Sequence, residues 1–290
     1  MLLLLAACTG GGPARPAPPP GTVVVGSFDF PESEVLAEIY GQALAARGIP
    51  VQMQLGLGPR ELVDPALFRG LVRLVPEYQG SAVDFLNRGM GASGDPATTH
   101  ASLVHALAGT NAAALASAPG QDANAFAVTQ ATAERYGLRR ISDLAPIASK
   151  LVLGGPPECP ERPLCLLGLR KVYGLRFRHF VPLDAGGTLT LSALSGGDVD
   201  VALVFTTDPA VAERGFRILA DDRHLEPSDN VTPVVSRALL RRFGSRLSDT
   251  LDAVSAKLTT RELTALDRSV AAGRSPAKVA AAWLTARELN

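Results

Sequence analysis

The sequence predicts an α/β protein of two lobes with a ligand cleft between them. Short apolar runs of strand length alternate with helical stretches, the pattern of a mostly parallel sheet flanked by helices. The alternation restarts after about Asn124, which marks a second lobe. The last fifty residues then read as helix alone and pack back on the first lobe. Lobe 1 is expected over 22–124 and 225–290, and lobe 2 over 125–224. A chain of 290 residues has room for two medium domains, and 47% hydrophobic with 19% charged residues suits a protein with a real core.

The first strand is the apolar run 22–27, TVVVGS, followed by the turn FDFPES. A helix over 32–47 buries Val35, Leu36, Ile39 and Leu44, and Gly48 stops it. A second strand at 51–55 and a short helix at 59–69 lead to VPEYQGSAVDFL, residues 75–86. There a buried strand is expected to end at Pro76, because proline cannot donate to a ladder. Tyr78 then sits in a turn, and Ser81, a favourable cap residue, opens a helix. Asp95 and Pro96 start another helix, to 108, and 113–117 is a short strand. Beyond Asn124, strands at 124–129, 150–153, 176–182, 199–205 and 216–220 alternate with helices at 130–136, 141–148, 166–173 and 188–194. A strand at 232–236 precedes helices at 236–243, 247–258, 260–272 and 275–289.

Lys+Arg and Asp+Glu both total 28, so no basic field points to nucleic acid. The sequence has no P-loop, G-x-S-x-G or H-E-x-x-H, and His100, His105, His179 and His224 show no paired metal-ligand spacing. No cofactor is implied. At the N-terminus an apolar run at 1–7 ends in Cys8, followed by a Gly/Pro-rich stretch to 21. That resembles the bacterial lipoprotein box. It implies a signal remnant at 1–7, acylation of Cys8, a tether over 8–21, and an exported chain anchored to the outer face of the cytoplasmic membrane. The run is too short to span a bilayer, which takes about 20 apolar residues. Cys159 and Cys165 read as a disulfide closing a small loop in an exported protein, with two reduced thiols as the alternative.

Polar and aromatic residues gather at predicted strand ends, in FDFPES, PEYQGS, QDANAF, ECPERP and FTTDP. Open α/β sheets bind ligands at such places. With the collinear pieces VTQATAERYGLRRISDLA, SGGDVDVALVFTTDP, LADDRHLEPSDNVTPVVS and LTTRELTALDRSV, these segments resemble the substrate-binding lipoproteins of ABC importers for glycine betaine, choline and carnitine. The resemblance runs from about Val23 to Leu284. It implies a type II periplasmic-binding-protein fold, a small-molecule solute as ligand, a monomer, and permease subunits as partners. An exported enzyme or sensor on the same fold, or a receptor for another small polar ligand, is the alternative.

In that family a quaternary ammonium sits in a cage of aromatic rings, held by cation–π attraction. The resemblance places Tyr78 on a cage tyrosine and Ser81 on a ligand hydroxyl. Arg162 falls in the segment that supplies a carboxylate-binding arginine. Phe28, Asp29, Asn124, Phe126, Phe205 and Thr206 fall at the cleft edge. Phe126 stands where the family has tyrosine, Leu191 where an aromatic residue is common and Asp229 where many members have tyrosine, so the cage is expected to be depleted, with Tyr78, Phe126, Phe205 and Phe28 as its rings and Asp29 or Asp229 replacing rings by charge. By its strand position alone, Phe126 reads equally as a core residue, and Arg162 also reads as a surface ion-pair partner.

Overall fold

A computed structural model of the chain describes residues 21–290. The apolar run at 1–7, Cys8 and most of the expected tether lie outside the described residues. The first part of the chain builds β1 (Val23–Gly26), α1 (Pro31–Ala46), β2 (Val51–Gln54), α2 (Arg60–Phe68), β3 (Leu74–Tyr78), α3 (Gln79–Leu86), α4 (Pro96–Ala106) and β4 (Ala112–Ala114). The second builds β5 (Asn124–Thr129), α5 (Gln130–Tyr136), β6 (Val152–Gly155), α6 (Leu166–Tyr173), β7 (His179–Pro182), α7 (Thr188–Gly196), β8 (Val201–Phe205), α8 (Pro209–Glu213) and β9 (Phe216–Leu219). The chain returns through β10 (Val231–Ser236) and ends in α9 (Arg237–Phe243), α10 (Ser245–Ser255), α11 (Thr260–Ala271) and α12 (Pro276–Thr285).

Two five-stranded sheets result, ordered β2-β1-β3-β10-β4 and β7-β6-β8-β5-β9. Replacing β1, β2, β3, β4 and β10 by β6, β7, β8, β9 and β5 converts one order into the other, so the lobes repeat one topology. In each sheet four strands run one way, as expected of a mostly parallel sheet, and one runs against them. β10 runs antiparallel to β3 and β4, and β5 runs antiparallel to β8 and β9. Strands reached through helical crossovers end at the cleft. β5 and β10 begin there, because the chain arrives from the other lobe.

Pro76 does not end its strand. It lies inside β3, opposite Pro233 of β10. Leu115 donates to the Pro233 carbonyl on one side, while Gln79 donates to Asn230 three positions away in register. The two prolines therefore face each other across a pair that exchanges no hydrogen bonds, so neither missing N–H removes a bond between β3 and β10.

Core packing follows the two periodicities. On β5, Phe126 and Val128 enter one apolar cluster and Ala125 and Ala127 another, on the opposite face of the second sheet. Helix α1 is buried on most sides, with Val35, Leu36, Ile39, Tyr40 and Leu44 fully enclosed, and packs against α10, α11 and α12. Each of those aliphatic side chains contributes about 1.5–3 kcal/mol by burial, which anchors the C-terminal helices to lobe 1. The two interlobe crossovers bond to one another. Asp122 N–H donates to Asp229 O at 3.1 Å, Val231 to Gly120 at 3.1 Å and Ala118 to Val231 at 2.7 Å. Among the described residues, no helix is long and apolar enough to cross a membrane.

Candidate functional site

A cavity of about 430 Å³ lies between the two sheets, walled by loops that follow β1, β3, β6 and β8. Phe28, Asp29, Tyr78 and Ser81 line it from the first lobe, Arg162 and Phe205 from the second, and Asn124 from the crossover between them. Its volume suits a small-molecule site.

The chemistry starts with four rings. Phe30 is the centre: its ring lies 5.9 Å from Phe28, 5.8 Å from Tyr78 and 5.3 Å from Phe205. The Phe30–Phe205 pair spans the lobes. Phe28 and Tyr78 are buried, while Phe30 and Phe205 keep partly open faces. The Arg60 guanidinium sits 4.9 Å from the Phe28 centroid, so one cation already uses that face. Arg60 is tied to the buried Glu77 by Nε at 3.1 Å and Nη2 at 2.9 Å. Burial disfavours its charge, but the Glu77 carboxylate holds the guanidinium above its usual range.

Behind the rings the lobes share a buried polar seam. Tyr78 Oη donates to Glu32 Oε1 at 2.5 Å, and Thr207 Oγ1 of lobe 2 donates to Glu32 Oε2 at 3.0 Å. Asp122 accepts from Thr206 Oγ1 and from the Thr207 N–H, both at 3.0 Å. Burial, and then the neighbouring Asp267 charge, push Glu32 well above the usual carboxylate range. Burial and then Glu32 do the same to Asp122, and burial pushes Asp267 up to about 8. The Asp267 Oδ1 is buried without a partner.

Asp229 has a different task. Its Oδ1 accepts from the Gly80 and Ser81 N–H groups at 2.8 and 3.0 Å, and Ser81 Oγ donates to its Oδ2 at 2.6 Å. The cap of α3 therefore comes from the returning crossover, not from Ser81 as expected, and the helix begins two residues earlier, at Gln79. Burial raises Asp229 to about 6 against the lowering bonds from Ser81. Asp84, also in the lining, is pushed up to about 6 by burial.

Arg162 lines the cavity and pairs with Glu61 of the first lobe at 2.8 Å and with Glu158 at 3.1 Å. These pairs are those of the ion-pair reading of Arg162, and the residue also borders the cavity. Cys159 and Cys165 are joined, and both border the cavity. Asp29 is exposed at the rim and Asn124 Nδ2 donates to Glu226 at 3.3 Å.

Two expected site residues lie elsewhere. Phe126 is fully buried in the second-lobe core and does not line the cavity, since only the first residue of β5 reaches it. Thr206 does not line it either; its hydroxyl serves Asp122 and accepts from the Ala123 N–H. Sequence reading missed Phe30, Arg60, Asp84, Glu158 and the Glu32–Thr207 link. Phe30 did carry a signal. It occupies the N-cap of α1, where a side-chain oxygen is favoured, and leaves that cap unmade. Leu191, expected beside the site, is buried in the apolar cluster on the other face of the sheet.

Seven carboxylic side chains and three arginines line the cavity. Arg60 and Arg162 are neutralised by their partners, so the wall favours a cation. Among the described residues, no cluster of His, Cys, Asp and Glu is arranged to hold a metal.

The chain resembles known proteins over nearly its full described length. Glycine betaine-binding protein YehZ of Escherichia coli is 29% identical over 273 residues, 90% of this chain and 89% of that one. A glycine-betaine-binding protein of Pseudomonas aeruginosa is 28% identical over 280 residues, 92% of this chain and 88% of that one. A crystal structure of a glycine betaine/carnitine/choline ABC transporter protein superposes with a TM-score of 0.71 at 24% identity, covering 92% of this chain and 99% of that one, a likeness of fold. The family model described as the substrate binding domain of ABC-type glycine betaine transport systems matches residues 21–286. The two-lobed fold, its cleft and these matches together establish that the chain belongs to the family of substrate-binding domains of ABC-type glycine betaine transport systems.

Proposed function

We propose that the chain is the extracytoplasmic solute receptor of an ABC importer and that its cleft takes a quaternary amine of the glycine betaine, choline or carnitine type. The observation that carries this reading is the ring cluster Phe28–Phe30–Tyr78–Phe205 in a cavity wall rich in carboxylates. A quaternary nitrogen has no hydrogen to donate, so aromatic faces and nearby carboxylates are what attract it. Phe30 and Phe205 supply the open faces, with Tyr78 behind them. Asp29 and Asp84 supply charge, and Asn124 a polar contact. Asp229 and Ser81 hold the helix that carries one wall.

Lobe 1 comprises 22–124 with 225–290, and lobe 2 comprises 125–224. The crossovers between them form the hinge about which the lobes close on ligand and open to a permease. The receptor acts as a monomer, tethered to the outer face of the membrane through Cys8. It is a binder rather than an enzyme: Glu32, Asp122 and Asp229 are engaged in hydrogen bonds that join the lobes or cap α3.

Isothermal titration of residues 21–290 with glycine betaine, choline, carnitine, proline betaine and common amino acids tests this. Saturable heat is expected with at least one quaternary amine. Heat with amino acids only would overturn the ligand class.

A further inference from the structure

The ligand space does not stop at the aromatic wall. A second cavity of about 490 Å³ adjoins the first, and Asp84, Arg88, Pro163, Leu164 and Leu167 line both. Its remaining wall adds Arg170 and Lys171 of α6 and His224 of the returning crossover. The charge balance reverses there. Three permanent cations and a histidine surround a basin whose lining contains one carboxylate, Asp84.

These cations are unlike Arg60 and Arg162 of the first cavity. Arg60 and Arg162 are held by carboxylates. None of Arg88, Arg170, Lys171 and His224 takes part in an ion pair among the described residues. The backbone is also special at this basin. Arg88 has φ 53° and His224 φ 54°, left-handed values that a bulky arginine rarely adopts. Strained backbone persists where its surroundings hold it, and it gathers at ligand clamps.

Size points the same way. A benzene-sized group fits a cavity of about 150 Å³, and a trimethylammonium head is of that order. The joined cavities therefore hold much more than one small betaine, with an acid-rich aromatic end and a basic end. We infer that the ligand is a phosphate ester of a quaternary amino alcohol, with its ammonium in the first cavity and its phosphoryl group among Arg88, Arg170, Lys171 and His224. The inference rests on the proposed quaternary-amine reading and extends the ligand beyond it. Guanidinium and ammonium groups suit anionic phosphate oxygens through charge-assisted hydrogen bonds. Free phosphocholine, a monoester dianion, and glycerophosphocholine and the phosphocholine headgroup of a lipid, both diester monoanions, all present a quaternary ammonium beside such oxygens.

Calorimetry with choline and phosphocholine, on the natural chain and on the Arg170→Ala/Lys171→Ala variant, separates the two levels of the reading. Both positions are exposed on α6, so the variant is expected to fold. Phosphocholine is expected to bind about tenfold tighter than choline. The variant is expected to remove about that factor from phosphocholine and less than about twofold from choline, and added salt is expected to weaken phosphocholine more. Choline binding with no gain for phosphocholine, or an equal loss for both ligands in the variant, overturns this inference alone. Binding of neither overturns this inference, and the quaternary-amine reading falls with it when glycine betaine, carnitine and proline betaine also give no heat. Titration with glycerophosphocholine and co-sedimentation with phosphatidylcholine vesicles then assign the source: soluble ester only, or lipid headgroup.

Discussion

Phe30 is the residue through which the ring cluster is most directly perturbed. It touches Phe28, Tyr78 and Phe205, and its contact with Phe205 at 5.3 Å crosses the cleft. Arg60 covers Phe28, which leaves Phe30 and Phe205 as the open faces. Phe30→Leu keeps most of the volume and removes the quadrupole. A desolvated cation–π contact contributes about 1–2 kcal/mol, so choline affinity should fall about 5- to 30-fold. Phe30→Ala also loses the apolar packing against Phe205 that leucine partly keeps, about 0.5–1.5 kcal/mol more. The total corresponds to a weakening of about 10- to 300-fold, part of it through a less populated closed form. Calorimetry reads the affinities, and thermal denaturation checks that both variants are folded. A Phe30→Leu protein within twofold of the natural affinity would refute a cation–π role for this ring.

Other outcomes follow from the same geometry. Arg162→Ala frees Glu61 and Glu158 toward the cavity, so the ratio of choline to glycine betaine affinity should rise about tenfold, measured by calorimetry; an unchanged ratio contradicts a carboxylate-facing role. Gly80→Ala puts a Cβ 2.6 Å from Pro227 Cγ and 2.7 Å from the Ser228 carbonyl, and should cost about 1–3 kcal/mol in denaturant unfolding. The cleft acids set the pH profile of the ligand-free chain. Their folded pKa values lie above the unfolded value of about 4, so the folded chain holds protons more tightly, and stability present below pH ~4 is lost as pH rises. Asp84 and Asp229, pushed to about 6, act up to pH 6, and Asp267, pushed to about 8, acts up to pH 8. Glu32 and Asp122 face Asp267 and shift the same way. Melting should therefore occur at a higher temperature at pH 5 than at pH 8; the reverse order contradicts the buried-acid account.

Much of this architecture was written locally. Helices 130–136 and 166–173 end at Gly137 and Gly174, both in the left-handed conformation that stops a helix, and their bounds could be read directly. Asp95 and Pro96 open α4 as their residue types dictate, with Asp95 accepting from the Thr98 N–H. What escaped reading depends on partners far along the chain. Pro76 continues a strand because Pro233 lies opposite it, and Ser81 yields its capping role because Asp229 arrives from 148 residues away. The antiparallel strands β5 and β10 follow from the double passage between lobes, which no local pattern encodes. In the site, Tyr78 and Phe205 reach the cavity from the ends of β3 and β8, as strand ends should. Phe126 sits two residues into β5, on the face turned to the core. Phe30, at a helix start, was obscured by the turn-like FDFPES around it.

The central claim is that the cleft recognises a quaternary nitrogen by its charge against aromatic faces. The most direct measurement compares choline with its neutral carbon isostere, 3,3-dimethylbutan-1-ol, by calorimetry on residues 21–290. The two ligands have the same shape, so burial of methyl groups is equal and only the charge differs. Choline is expected to bind at one site and the isostere at least about tenfold more weakly. Equal affinity for the two, or saturable binding of the isostere alone, would contradict the account.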